Sequence, residues 1–155
     1  MTLENETIDM GIIKNLTRIL EYYKDKRVLV VGTTCTGKST LLKKIEGAQD
    51  MDDLVFPLLS KEERNYVCQT PWTEEIGKTM TRLTREKVKV EAGKPVFGTV
   101  LLDCDFIVYL NISEYLLNER CKERKVTYED ATKMNEQIRK EVKTSGIRTI
   151  EFVVG

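Results

Sequence analysis

The chain has 155 residues, 41% hydrophobic and 32% charged, with 25 basic and 25 acidic side chains that cancel to zero formal charge and no histidine. That length holds one domain with a real core and leaves no room for a second, and the composition excludes a disordered chain. Zero net charge supplies no global field toward nucleic acid or an anionic membrane, no apolar run reaches bilayer length, and the missing histidine excludes Ser-His and Cys-His nucleophilic catalysis.

Acids near the N-terminus stand where a signal peptide would carry bases, so a cytoplasmic protein is expected. Cys35, Cys68, Cys104 and Cys121 are widely spaced and form no C-x-x-C pair, which argues against zinc and for reduced thiols at least partly buried.

In chain order, Ile8, Ile12, Leu16, Ile19, Leu20 and Tyr23 recur at steps of three and four, which predicts an amphipathic helix ending before Asp25. Residues 1–25 are read as this helix and 26–155 as the main domain. Arg27 to Val31 is β-branched and apolar after its first residue, as a strand covered on both faces should be. Leu41, Leu42 and Ile45 continue a helix that Gly47 can end. Ser60 to Glu63 has capping-box spacing.

Thr73 starts a longer helix with the stripe Ile76, Met80 and Leu83, expected to run to Gly93. Pro95–Leu101 and Asp105–Leu110 read as strands. Ser113 caps a helix through Arg124, and Thr127 with Asp130 caps another whose stripe is Ala131, Met134, Ile138 and Val142. Gly146 ends it, and Ile147–Val154 is the last strand. Strands alternating with helices predict a three-layer α/β/α domain on a mainly parallel five-stranded sheet.

Gly32-Thr33-Thr34-Cys35-Thr36-Gly37-Lys38-Ser39 fits G-x-x-x-x-G-K-[ST] at every fixed position, between a strand and a helix. In such a P-loop the glycines let backbone amides turn inward around phosphate oxygens, and the following helix adds its positive end. Lys38 would reach the outer phosphates of ATP, Ser39 would ligate Mg²⁺, and Thr40 would lie nearer the inner phosphate. Cys35 sits where a thiol meets positive dipoles.

The arrangement resembles the P-loop small-molecule kinases, the group of shikimate kinase, adenylate kinase and other nucleoside monophosphate kinases. It covers about residues 27–154 and rests, beyond the loop, on the order of elements. The resemblance implies an acid past the second strand. Asp52 and Asp53 occupy that place, with Asp53 preferred as base and metal ligand and Asp52 beside the substrate. It also implies lid arginines, for which Arg120 and Arg124 stand four apart on one helix face. Substrate contacts would come from Arg82, Arg85 and Gly98, Trp72 could stack on a ring, and the adenine would rest on Lys143-Thr144-Ser145-Gly146.

Two departures stand out. No aspartate ends the third strand, Asp103 and Asp105 coming only beyond it, and the N-terminal helix is not part of the family's core. That helix is expected to pack on the sheet edge or on a second subunit. The implied function is transfer of the γ-phosphoryl group of ATP to a small acceptor. The alternatives are an ATPase or nucleotide-dependent switch, and a nucleotide-binding scaffold.

Overall fold

The computed structural model describes residues 3–69 and 73–154, with the side chains of residues 3–9 and of Ser39 left out of the description. The expectation for Trp72 lies outside the described residues.

Five parallel strands form one sheet in the order β2-β3-β1-β4-β5: β1 is Val28–Val31, β2 Gln49–Asp50, β3 Val96–Gly98, β4 Phe106–Asn111 and β5 Arg148–Val153. β1 lies at the centre, Val30 opposite Phe97 on one side and Val108 on the other. All four β1 residues are buried, because helices cover both faces of the sheet.

The two-residue period of the strands sorts their side chains into two cores. Val28, Val30, Phe106, Val108 and Leu110 face one side, packed by helices α1 (Leu3–Tyr22), α2 (Lys38–Lys44) and α6 (Glu114–Arg124). Leu29, Val31, Val96, Ile107 and Tyr109 face the other. There they meet α3 (Met51–Val55), α4 (Lys61–Val67), α5 (Glu74–Lys87) and α7 (Tyr128–Ser145).

Local signals set most helix ends. Ser60 and Glu63 form the full reciprocal capping box of α4, and Thr73, Ser113 and Thr127 each accept an amide of the first turn of α5, α6 and α7. Gly146 ends α7 in the left-handed region, with φ +72°.

α5 stops at Lys87, short of Gly93. Val88, on extended backbone, and Val90 are both buried, and Gly93, at φ +79°, turns the chain between the bridged residues Glu91 and Lys94. Burial of two β-branched side chains therefore outweighs the missing breaker. The third strand is also shorter than expected, because pairing with β1 ends at Gly98.

Leu16 and Leu20 of α1 are buried in the same core as Val28 and Phe106, and the ring of Tyr23 stacks on Phe106 with centroids 3.9 Å apart. Burial of each leucine contributes roughly 2 kcal/mol. α1 is thus continuous with the core of residues 26–155, and of the two expectations for this helix, packing on the sheet or on a second subunit, the buried Leu16 and Leu20 match the first. Among the described residues, no helix is long and apolar enough to cross a membrane.

Parallel pairing places all carboxyl ends of the strands along one edge. The chain leaves β1 through α2 for β2, at the far side of β3, and later leaves β3 for β4, on the opposite side of β1. The connections diverge at β1, and such a switch point opens a crevice at the carboxyl end of the central strand. The Gly32–Ser39 segment lies there.

Candidate functional site

Close approach and an unusual backbone turn both shape the Gly32–Ser39 loop. A Cβ on Gly32 would lie 3.0 Å from Cβ of Leu110 and 3.1 Å from Oγ1 of Thr36. Gly37 has φ +94°, and a Cβ there would stand 2.9 Å from an Arg120 guanidinium nitrogen. Cys35 also takes a left-handed turn, with φ +68°, which costs a residue with a side chain about 1 kcal/mol. The surrounding contacts hold that turn. Thr33 donates its buried hydroxyl to the carbonyl of Ala131 on α7 at 2.6 Å, and Thr36 donates to the carbonyl of Thr33 at 2.9 Å. The Thr34 amide donates to the sulfur of Met134 at 3.4 Å.

Lys38 folds back over this loop. Its ammonium donates to the carbonyls of Gly32 at 2.8 Å and Thr33 at 2.6 Å and to the hydroxyl of Thr36 at 3.1 Å. All three acceptors are neutral. Burial therefore dominates and pulls the Lys38 pKa from 10.5 down to about 7; Arg124 acts in the same direction, whereas Cys35, Asp50 and Asp52 favour the charged form. Gly37, the N-cap residue of α2, has no side chain with which to cap it.

α6 brings the two arginines to the loop from the other side. Arg120 donates to the carbonyl of Thr36 at 2.6 Å, and Arg124 borders the same small cleft as Lys38, about 180 Å³, together with Thr34, Gly98 and two acids. Both arginines also line a neighbouring cavity of about 410 Å³ that includes Cys35, Gly37 and Thr40. The i, i+4 spacing thus delivers two guanidinium groups to one end of the sheet.

The acids that border the Lys38 cleft are Asp50 and Asp52, and Asp53 does not line it. The preference for Asp53 over Asp52 finds no support in this lining. β2 ends at Asp50, whose carboxylate caps α3 by accepting the amide of Asp52 at 3.0 Å, and the α3 turn then presents Asp52 and Asp53 in different directions. Burial, reinforced by Asp50 and Asp53, raises the Asp52 pKa above the ordinary carboxylate range, with Lys38 opposing. Asp50 was not among the acids that the sequence singled out.

Asp52 also borders a groove of about 870 Å³ between α3, α5 and α7, to which Thr99, Arg82 and Arg85 contribute. Both arginines already have partners. Arg82 pairs with Glu86 at 3.3 Å, while Arg85 pairs with Glu141 at 3.0 Å and donates to the carbonyl of Leu101 at 3.1 Å. Gly98 has a packing reason of its own, since a Cβ there would meet Met51 at 2.6 Å. It also accepts the Gly32 amide at 3.3 Å, tying β3 to the loop.

Two further expectations, for the adenine loop and for the thiols, differ from the structure, and Asp103 and Asp105 find a role of their own. Lys143–Gly146 precedes β5 and so lies at the amino ends of the strands, opposite the Gly32–Ser39 loop. Asp103 and Asp105 lie at that amino end too, both bound to Arg27 at 3.0 Å. Cys35, Cys104 and Cys121 are buried, but Cys68 is exposed. Among the described residues, no group of three or more His, Cys, Asp or Glu side chains is arranged to hold a metal.

The residues missed by sequence reading are Ile12, Ile13 and Val154, which close the cavity beside Gly37. Their apolar character spoke only of core. No protein-family model matches the chain, and no curated protein is significantly similar to it in sequence.

Proposed function

We propose that this chain is an ATP-dependent phosphotransferase of the P-loop type that moves the γ-phosphoryl group to a small acceptor. The observation that carries this reading is the convergence of Lys38, Arg124, Asp50 and Asp52 on one cleft at the switch point. That cleft shares Asp52 and Thr99 with the larger groove, so a donor on one side and an acceptor on the other would meet there.

In this reading the acceptor hydroxyl attacks the γ-phosphorus, the bridging oxygen leaves with ADP, and the hydroxyl proton passes to Asp52. Asp52 borders both the Lys38 cleft and the groove, which places its carboxylate where an acceptor hydroxyl would give up that proton. Lys38, with Arg120 and Arg124, neutralises the charge on the transferring group.

The donor set fits Mg²⁺, which takes oxygen ligands and binds through one or two carboxylates plus phosphates. Asp50, which borders the cleft beside the base Asp52, is the carboxylate that would hold it, and Ser39 would supply the hydroxyl by its place in the motif. Once bound, the metal would offset the negative charge of the phosphates. One observation favours a nucleotide-binding module without turnover: β3 ends in Gly98 and offers no acid beside the loop.

Incubation with Mg-ATP and a panel of nucleosides, nucleoside monophosphates, hydroxy acids and sugars separates these readings by ADP release. Acceptor-dependent release is expected, and Lys38→Ala should abolish it together with ATP binding. Hydrolysis indifferent to every acceptor would support a switch instead, and binding with no ADP formed would support a scaffold.

A further inference from the structure

The cavity of about 410 Å³ beside Gly37 has a composition unlike the other clefts at this end of the sheet. Ile12 and Ile13 of α1, Leu41 of α2 and Val154 beyond β5 supply apolar surface, while Arg120 and Arg124 of α6 supply two guanidinium groups. Its size falls within the range that holds small ligands, about 300–1,000 Å³. Thr40 and Glu123 add a hydroxyl and a carboxylate at its border.

This cavity touches the loop at Cys35, Thr36 and Gly37 and shares Arg124 with the Lys38 cleft. A ligand with phosphates against Lys38 can therefore extend past Gly37 without crossing the sheet. The part that enters meets branched aliphatic side chains and guanidinium planes, together with a few hydrogen-bonding groups. Those are the requirements of a flat heterocycle, apolar on its faces and polar at its edge; arginine planes stack on such rings.

We infer that α1, through Ile12 and Ile13, forms the apolar wall of a purine-nucleoside pocket whose other walls are Val154 and the α6 arginines. This rests on the nucleotide reading above and goes beyond it by giving the N-terminal helix a part in the site. The wall is held in place from below. Leu16 and Leu20, one and two turns further along α1, are buried in the core, and the Thr17 hydroxyl donates to the carbonyl of Ile13 at 2.7 Å. The opposite wall is pinned by the Val154 amide, which donates to the carbonyl of Asn111 at 2.8 Å. Ile12 and Ile13 themselves are only half-buried, so their exposed portions remain available to a ligand.

Tripolyphosphate and ATP separate the loop from the pocket, because only ATP carries a base. Calorimetric titration of the full chain with ATP, GTP and tripolyphosphate should show at least one purine nucleotide binding about tenfold or more tighter than tripolyphosphate. Ile12→Ala should cut that advantage by about five- to tenfold through lost apolar contact and leave tripolyphosphate unchanged. Ile13→Trp, which fills the cavity, should cut it further. The ratio of the two affinities is the readout, so a partly unfolded sample, which weakens both ligands alike, does not imitate the effect. Equal affinity of nucleotide and tripolyphosphate in the unaltered protein, or a ratio untouched by both variants, would overturn the pocket while leaving the phosphate loop standing. Failure of tripolyphosphate itself to bind would defeat the loop reading, and the pocket with it.

Discussion

The two ends of the sheet each carry a cluster of charge, and the clusters are built on opposite terms. At the amino end, Arg27 meets Asp103 at 3.0 Å and Asp105 at 3.0 Å, and Asp105 also accepts the Arg27 backbone amide at 2.9 Å. Every charge there has an opposite charge in contact. The Arg27 guanidinium, by hydrogen bonding and charge, holds the Asp105 carboxyl below its ordinary range, and Asp105 and Asp103 raise the already high pKa of Arg27. At the carboxyl end the Lys38 ammonium donates to neutral oxygens, and Asp52 is crowded by Asp50 and Asp53. A cluster that satisfies its own charges fastens strands together. One that buries an ammonium on neutral acceptors and crowds carboxylates keeps electrostatic strain, which is common where a fold is arranged for chemistry rather than for stability.

The sharpest way to break this comparison is to remove charge at the carboxyl end. Asp52→Asn should lower acceptor-dependent turnover by about 100-fold or more, as loss of a general base does, whereas Asp53→Asn should stay within a few-fold. Steady-state kinetics on both variants decides between them; equal losses would return Asp53 to the role it held on sequence grounds.

A smaller effect follows from the sign of the Lys38 shift. Burial favours the neutral amine, so between pH 7 and 10.5 the folded protein binds fewer protons here than the unfolded chain, and this group's contribution to stability rises with pH across that window. A polyphosphate reverses the preference, because its negative charge favours the ammonium. Binding above pH 7 should take up close to one proton, and affinity should fall by up to about tenfold per pH unit. Calorimetry in two buffers of different ionisation enthalpy measures that uptake, and a value near zero at pH 8.5 would show that Lys38 is already charged in the free protein.

The least effect is expected at the amino end. Asp105 has a depressed folded pKa, so its contribution is present above the unfolded value and fades as pH falls through the folded one. Asp105→Asn should lower the melting temperature by a few degrees at pH 7, less at acid pH, with nucleotide affinity unchanged. A change in affinity would mean that the two ends communicate.

Much of this molecule was legible from local pattern. The apolar runs Val28–Val31 and Phe106–Leu110 marked the buried strands, and Ser60, Thr73, Ser113 and Thr127 announced their helices, because capping is settled among residues three apart. The Gly32–Ser39 spacing marked the loop in the same way. Two glycines five apart with Lys and Ser after the second describe one continuous turn, whose geometry needs only its neighbours in the chain. The end of α5 misled because Gly93 looked like its stop. Burial of Val88 and Val90 against distant side chains ended the helix six residues sooner.

Sequence alone therefore determined the alternation of strands and helices, the turn at Gly32–Ser39 and the pairing of Arg120 with Arg124 on one helix face. Tertiary structure decided which of three neighbouring acids borders Lys38, that Lys143–Gly146 lies at the wrong end of the sheet to meet the loop, and that the first helix reaches the cavity beside Gly37. The physical reason is separation along the chain. Periodicity and capping are written within a turn or two, whereas the direction of an acid off α3, or the approach of Ile12 to Val154, is set only when the parallel sheet brings segments far apart in sequence to one edge.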